Sequence, residues 1–232
     1  MRENVQNFRW KEVAESLAEN PKLKSFRDER GRNWLHLCCG ANLRRGRLNP
    51  EHGVHTAEVL LQAGLDLNRE AFREGSWKAT PLWFALARGE NLVLARSLLR
   101  RGADPNHCLW AAAWQDNVKA IQLLLEHGAE VDPRDDEGLT PFLAAVGWSH
   151  FKAAAALLKA GANVDFQDPH GNTALHRMLK KGSAKKHFRL LAAYGPRVDL
   201  KNQEGVMALE ILRVKRDPEF REMAARLSSR RR

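Results

Sequence analysis

Apolar positions along this chain fall into short helical stripes separated by glycine-ended turns, and the stretch from Asp135 to Gln167 shows the unit most clearly. Thr140 is placed to cap a helix, and Pro141 fits its first turn, where a missing N–H costs nothing. Phe142, Leu143, Ala144 and Ala145 make a short apolar helix, narrow enough on one side for another helix to lie close. Phe151, Ala154, Ala155, Leu157 and Leu158 give a second helix at a period near 3.6. Gly161 ends it with positive φ available, and the chain leaves in extended form towards Asp168. A helix pair this short cannot bury its apolar face alone, so the pattern predicts neighbours of the same kind.

The neighbours are written in the sequence. Thr140 and Thr173 are 33 residues apart, and so are His107 and Thr140. The terminal glycine recurs as Gly64, Gly102, Gly128, Gly161 and Gly195, within the phrases AGLDLN, RGADPN, HGAEVD, AGANVD and YGPRVD. A period near 33 with a turn, two helices and T-P-L-H-like text resembles the ankyrin-repeat family, from about Asp28 onwards. The resemblance implies an all-α solenoid of stacked helix-turn-helix repeats with short hairpin loops, about six repeats in number and several of them degenerate. It also implies a binding scaffold.

Taken in order, residues 1–27 read as an N-terminal helical cap, with Phe8, Trp10, Val13, Ala14 and Leu17 on one stripe that Asn20-Pro21 breaks. Repeats are expected at 28–68, 69–106, 107–134, 135–167, 168–201 and 202–212, and residues 213–232 as a C-terminal capping helix and basic tail. Repeat one carries an insertion between its helices, over 41–55, that includes Arg44, Arg45 and Arg47, and insertions in solenoids fall in surface loops. Repeat two lacks an Asp-x-x-Gly turn in its lead-in, where Trp77 is expected near the tip. Thr80 and His107 are only 27 apart, so the projecting finger between repeats two and three is expected to be deleted.

Tryptophan carries the distinctive chemistry. Trp83 and Trp110 occupy the His slot of T-P-L-H, where packing between helix pairs is expected. Trp114 and Trp148 follow the alanine pairs, where the family geometry turns a residue towards the concave face, and Arg88, Lys180 and Lys181 hold matching slots. Together with Trp77 these form the candidate partner-binding surface, with aromatic anchors and basic residues that steer an acidic segment of another protein.

Composition narrows the classes. The formal net charge is +10. The last twenty residues hold eight basic against three acidic, and no acid separates Arg177 from Arg189. This electropositive end supports an alternative reading, a binder of nucleic acid or another anionic surface. No P-loop, G-x-G-x-x-G, G-x-S-x-G or H-E-x-x-H appears, so catalysis, cofactors and catalytic residues are not expected. His36, Cys38, Cys39, His52 and His55 lie close in sequence but lack the paired spacing of a zinc site, so the cysteines are expected to be buried thiols in a reducing compartment and no metal is expected. No apolar run reaches membrane-spanning length and MRENVQNFRW is no signal peptide, so a cytoplasmic monomer is the expectation.

Overall fold

The repeating phrases have a mechanical cause that the structure makes visible. In the computed structural model, which describes residues 1–43, 48–74, 77–106 and 108–229, the sixth letter of three of these phrases accepts the backbone N–H of the fourth letter of the next. Asn68 Oδ1 accepts from Asp104 at 2.9 Å, Asp132 Oδ2 from Asn163 at 2.8 Å, and Asp165 Oδ1 from Arg197 at 2.6 Å. These three phrases therefore stitch their loops to the following ones. The glycine in second place has positive φ, +94° at Gly161, and a Cβ there would meet nothing within 4 Å. The demand for glycine at that position is purely conformational.

The fingers repeat as strictly. In Asp28–Arg32, Asp135–Leu139, Asp168–Asn172 and Asn202–Val206, the first residue's N–H donates to the fifth residue's carbonyl and the fourth residue's N–H donates back. The first side chain accepts the third and fifth N–H groups, as Asp135 does from Glu137 and Leu139. Repeat two has instead a small antiparallel hairpin, β1 (Arg73–Glu74) against β2 (Trp77–Lys78), where the Asp-x-x-Gly text is missing. Between repeats two and three the described residues 103–106 contain no finger, as the short spacing requires.

Two compact units make up the chain: Met1–Ala112 with Gln122–Ala129, and Ala113–Ile121 with Glu130–Arg232. The first begins with α1 (Arg2–Gln6), α2 (Trp10–Glu19) and a 3₁₀ turn (Pro21–Ser25). Its helix pairs are α3 (Trp34–Cys39) with α4 (Pro50–Gln62), and α5 (Pro81–Ala87) with α6 (Leu92–Arg100). The boundary passes through α7 (Cys108–Trp114) and α8 (Val118–Glu126). The second unit continues with α9 (Pro141–Trp148) and α10 (Phe151–Lys159), α11 (Ala174–Lys181) and α12 (Lys185–Ala193), then α13 (Ala208–Val214) and α14 (Pro218–Ser229). The first helix of each pair is the inner one. The core is small and dense: Phe142, Leu143 and Ala145 of α9 are fully buried, and so are Ala154 and Leu157 of α10, the helix packed against it.

Three expectations are corrected. The N-terminal stripe is not one helix, because Phe8 precedes α2 with φ +57° and packs inward with Val5, Val13 and Leu17. The insertion of repeat one is only partly loop. Residues 50–55 begin α4, which is longer than the nine-residue α6 and α10. That extra turn receives the cap, since a Cβ at Gly53 would lie 3.0 Å from the Phe8 ring and His55 meets Trp10 edge-on at 5.8 Å. In α10 the buried alanines are Ala153 and Ala154, while Ala155 is half exposed. Arg44, Arg45, Arg47, His107 and Arg230 to Arg232 lie outside the described residues.

Candidate partner-binding surface

In T-P-L-H text the histidine is a tie between repeats. His36 Nδ1 accepts from Asn33 N at 3.1 Å while Nε2 donates to Arg69 O at 2.8 Å in the next loop. His176 repeats the arrangement, with Thr173 N at 3.2 Å and Val206 O at 3.1 Å. Burial pushes the His36 pKa down from its ordinary 6.5 to about 4, so the ring is neutral and one nitrogen remains free to accept. Trp83 and Trp110 hold the same slot and are buried, as packing requires.

Past this slot α7, α9 and α11 end in a turn that needs positive φ, supplied by Asp116, Ser149 and Gly182 at equivalent places. The reversal leaves the residues just before it open. Trp114 is 50% exposed and Trp148 is 36% exposed, and both belong to the second unit. One imidazole joins them: His150 Nδ1 donates to Ala113 O at 3.1 Å, and its ring lies 6.0 Å from that of Trp148. Asp116 Oδ1 accepts Ala153 N at 2.7 Å beside them and fixes the start of α10. Lys181 Nζ donates to Gly147 O at 2.7 Å, which brings its charge next to Trp148, and Lys180 is exposed one residue before it. A cavity of 340 Å³ adjoins, lined by Asp168, His176, Arg177, Lys180 and Lys181 with Gly147.

Arg88 lies in the first unit, with its guanidinium 5.8 Å from the centre of the Trp83 ring. Trp77 is placed by its backbone at the end of the repeat-two hairpin, and its side chain lies outside the described residues. Sequence reading missed His150 as the link between the two open tryptophans, and the signal was its spacing of one residue beyond Ser149.

Three of the six basic residues in the run of repeat five are answered by acids from elsewhere in the second unit. Arg177 pairs with Asp168 at 3.2 Å, Arg189 with Glu219 at 2.6 Å, and Lys185 with Asp217 and Glu219. The Arg189 and Lys185 partners hold the Glu219 carboxyl below its usual range. Part of a run that looks unopposed along the chain is thus paired, Lys185 and Arg189 with the segment that opens α14 and Arg177 with the finger at Asp168.

The cysteines are closed off: Cys38, Cys39 and Cys108 are buried and free, and burial pushes the Cys108 thiol up to about 12. Among the described residues no three His, Cys, Asp or Glu side chains are grouped to hold a metal ion, and no helix is long and apolar enough to cross a membrane. His127 Nδ1 donates to Leu123 O at 2.9 Å at the end of α8.

Comparison with known proteins gives the same architecture. Residues 109–203 match the family of ankyrin repeats in three copies. The chain is 30% identical over 143 residues to the transient receptor potential cation channel subfamily A member 1 homolog of Caenorhabditis elegans, covering 60% of this chain and 11% of that one. It is 33% identical over 107 residues to ankyrin repeat and SOCS box protein 14 of Mus musculus, covering 40% of this chain and 18% of that one. The chain therefore spans under a fifth of the length of these relatives. Among solved structures, the ankyrin repeat domain of human ASB11 superposes with TM-score 0.72 at 20% identity, covering 97% of this chain and 96% of that one. The ankyrin repeat domain of Bcl-3, a member of the IkappaB protein family, superposes with TM-score 0.74 at 22% identity and the same coverage. With the fingers, the terminal glycines and the histidine ties in place, residues 109–203 are ankyrin repeats and the chain as a whole has the ankyrin-repeat fold; such repeats are in general non-catalytic modules for protein–protein interaction.

Proposed function

We propose that this chain is a non-catalytic interaction module that binds another protein over the open inner-helix ends of its second unit. Trp114 and Trp148 are the apolar anchors, and Lys180 and Lys181 steer an acidic segment of the partner. The observation that carries the reading is the exposure of two large indoles at equivalent helix ends of successive repeats, with His150 bonded to Ala113 O beside the first and its ring 6.0 Å from the second. Exposed tryptophan is costly in a folded surface and is the residue type interfaces favour as an anchor. The chain acts as a monomer in this reading, and three buried, unpaired thiols fit a reducing, cytoplasmic setting.

The test is partner capture from a lysate followed by affinity measurement with the identified protein. Trp114→Ala with Trp148→Ala is expected to weaken binding by at least about tenfold, since anchors of this type contribute about 2–4 kcal/mol each. Lys180→Gln with Lys181→Gln is expected to slow association and flatten its salt dependence. A double tryptophan variant that stays folded by circular dichroism and binds like the parent overturns the reading. Steep loss of binding with salt, unaffected by the tryptophans, would instead mark an anionic polymer as the ligand.

A further inference from the structure

The first unit holds a cavity of 290 Å³ that the surface just described does not use. Phe72, Trp83 and Phe84 form its aromatic side, with Trp83 and Phe84 edge-on at 5.1 Å and Phe72 edge-on to Phe84 at 6.3 Å. Arg30, Arg32 and Arg88 line it as well, and none of its lining residues is acidic. Arg32 is already committed, since its guanidinium binds the Asp28 carboxylate at 2.7 Å through two nitrogens. Arg30 and Arg88 are exposed and have no carboxylate partner among the described residues.

We propose that this cavity is a carboxylate site for an acidic segment of a partner polypeptide. Arg30 and Arg88 hold the oxyanion, and an apolar residue next to the acid covers Phe72, Trp83 and Phe84. Three observations support this occupant. Guanidinium forks match a carboxylate in two parallel hydrogen bonds, and two uncommitted forks at one cavity leave positive charge unanswered. The cationic frame is fixed in advance: Asp28 Oδ1 accepts from Arg30 N at 3.0 Å and from Arg32 N at 2.9 Å. Gly31, with φ +71°, packs so close that a Cβ would lie 2.4 Å from Ala71 O. The size is at the small end for binding pockets, which suits a residue or two of peptide and not a large cofactor.

The equivalent cavity of the second unit sharpens the contrast. There Asp168 itself lines the space and pairs with Arg177, so the protein supplies its own anion. In the first unit the corresponding finger residue, Asp28, is bound to Arg32 and does not line the cavity, which leaves the anion to a ligand.

The test uses the full chain and the blocked dipeptide acetyl-Glu-Phe-amide, with acetyl-Gln-Phe-amide as its neutral counterpart. Binding is read from indole N–H signals in ¹⁵N-labelled protein, with Trp83 assigned through Trp83→Phe. The Glu dipeptide is expected to shift the Trp83 signal saturably in the millimolar range. The Gln dipeptide is expected to bind at least about tenfold more weakly, because a charge-assisted hydrogen bond is worth about 1.5–3 kcal/mol. Arg30→Gln and Arg88→Gln should each weaken the Glu response severalfold, and so should raising salt from about 0.05 M to about 0.5 M. The Trp114→Ala/Trp148→Ala variant should respond like the parent, so failure here is separable from failure of the surface in the second unit. Absence of a saturable shift at Trp83, or equal affinity for the two dipeptides on the parent protein, overturns the proposal. Unchanged binding in both arginine variants would do so too.

Discussion

Helices α5 and α11 share one register and differ at a decisive place, the fourth residue of their capping text, which is Trp83 in one and His176 in the other. His176 uses both ring nitrogens, one on the cap of its own helix and one on the finger of the following repeat. After α5 the finger is missing, and the slot holds an indole that turns its ring to Phe72, Phe84 and Arg88. A third case completes the comparison. In α13, which no finger follows among the described residues, Glu210 stands in the slot and its carboxylate accepts Met207 N at 2.9 Å, performing the capping half of the histidine's task alone. Trp110 and Leu143 hold the slot as well, with fingers further along the chain, so the histidine can be exchanged even where a finger follows. The position is therefore two functions in one ring, a cap and a tie, and each repeat keeps only those its neighbours can receive.

Removing the indole is the hardest way to break this comparison. Trp83→Ala is expected to cost about 3–5 kcal/mol, the usual range for emptying a buried tryptophan site. Urea unfolding measures it, and a loss under about 1 kcal/mol would mean that the ring is not a wall of the core. Acid attacks the tie next. The folded-state pKa of His36 lies near 4, below its unfolded value near 6.5, so the unfolded chain binds more protons between those values. Stability from this group is complete above about 6.5 and is lost as pH falls towards 4, by about 3 kcal/mol. A ring C–H titration by NMR should show His36 neutral down to about 4, and a midpoint near 6.5 refutes the account.

His176→Leu keeps the volume but leaves Thr173 N and Val206 O without their partner, so a loss of about 2–3 kcal/mol is expected. Hydrogen exchange should locate it at the finger 202–206, and protection that stays unchanged there would mean that the finger is held by other contacts. The smallest effect is a gain. The Nδ2 group of the capping Asn33 is buried without a partner, and its Oδ1 faces His36 Nδ1, where Thr173 instead presents a hydroxyl at 2.9 Å. Asn33→Thr is expected to stabilise by about 1 kcal/mol in the same urea assay, and a loss would show that the amide has a use that the threonine cannot supply.

Much of this was readable from residues alone because the interactions that define a repeat are local or recur at a fixed interval. Thr140-Pro141, the glycine with positive φ at Gly161 and the missing finger before Cys108 all follow from spacing and backbone chemistry. The open indoles Trp114 and Trp148 were legible as positions relative to the alanine pairs, but their connection through His150 was not, because it depends on where a ring from the next turn arrives. The cap was misread for a similar reason: Phe8 leaves the helical stripe only because Gly53, forty-five residues later, offers it room.

What the sequence determined by itself was the repeat: its period, its helix starts and stops, and the recurring phrase around the terminal glycine. Periodic backbone hydrogen bonding writes itself into residue types, since few side chains can accept those N–H groups or adopt those dihedrals. Only the tertiary structure decided which charges are available. Lys185, Arg189 and Arg177 look alike along the chain and are neutralised by Asp217, Glu219 and Asp168, whereas Arg30 and Arg88, separated by a whole repeat, are brought to one cavity with no acid in its lining. Charge pairing depends on distance through space, and a sequence records distance only along the chain.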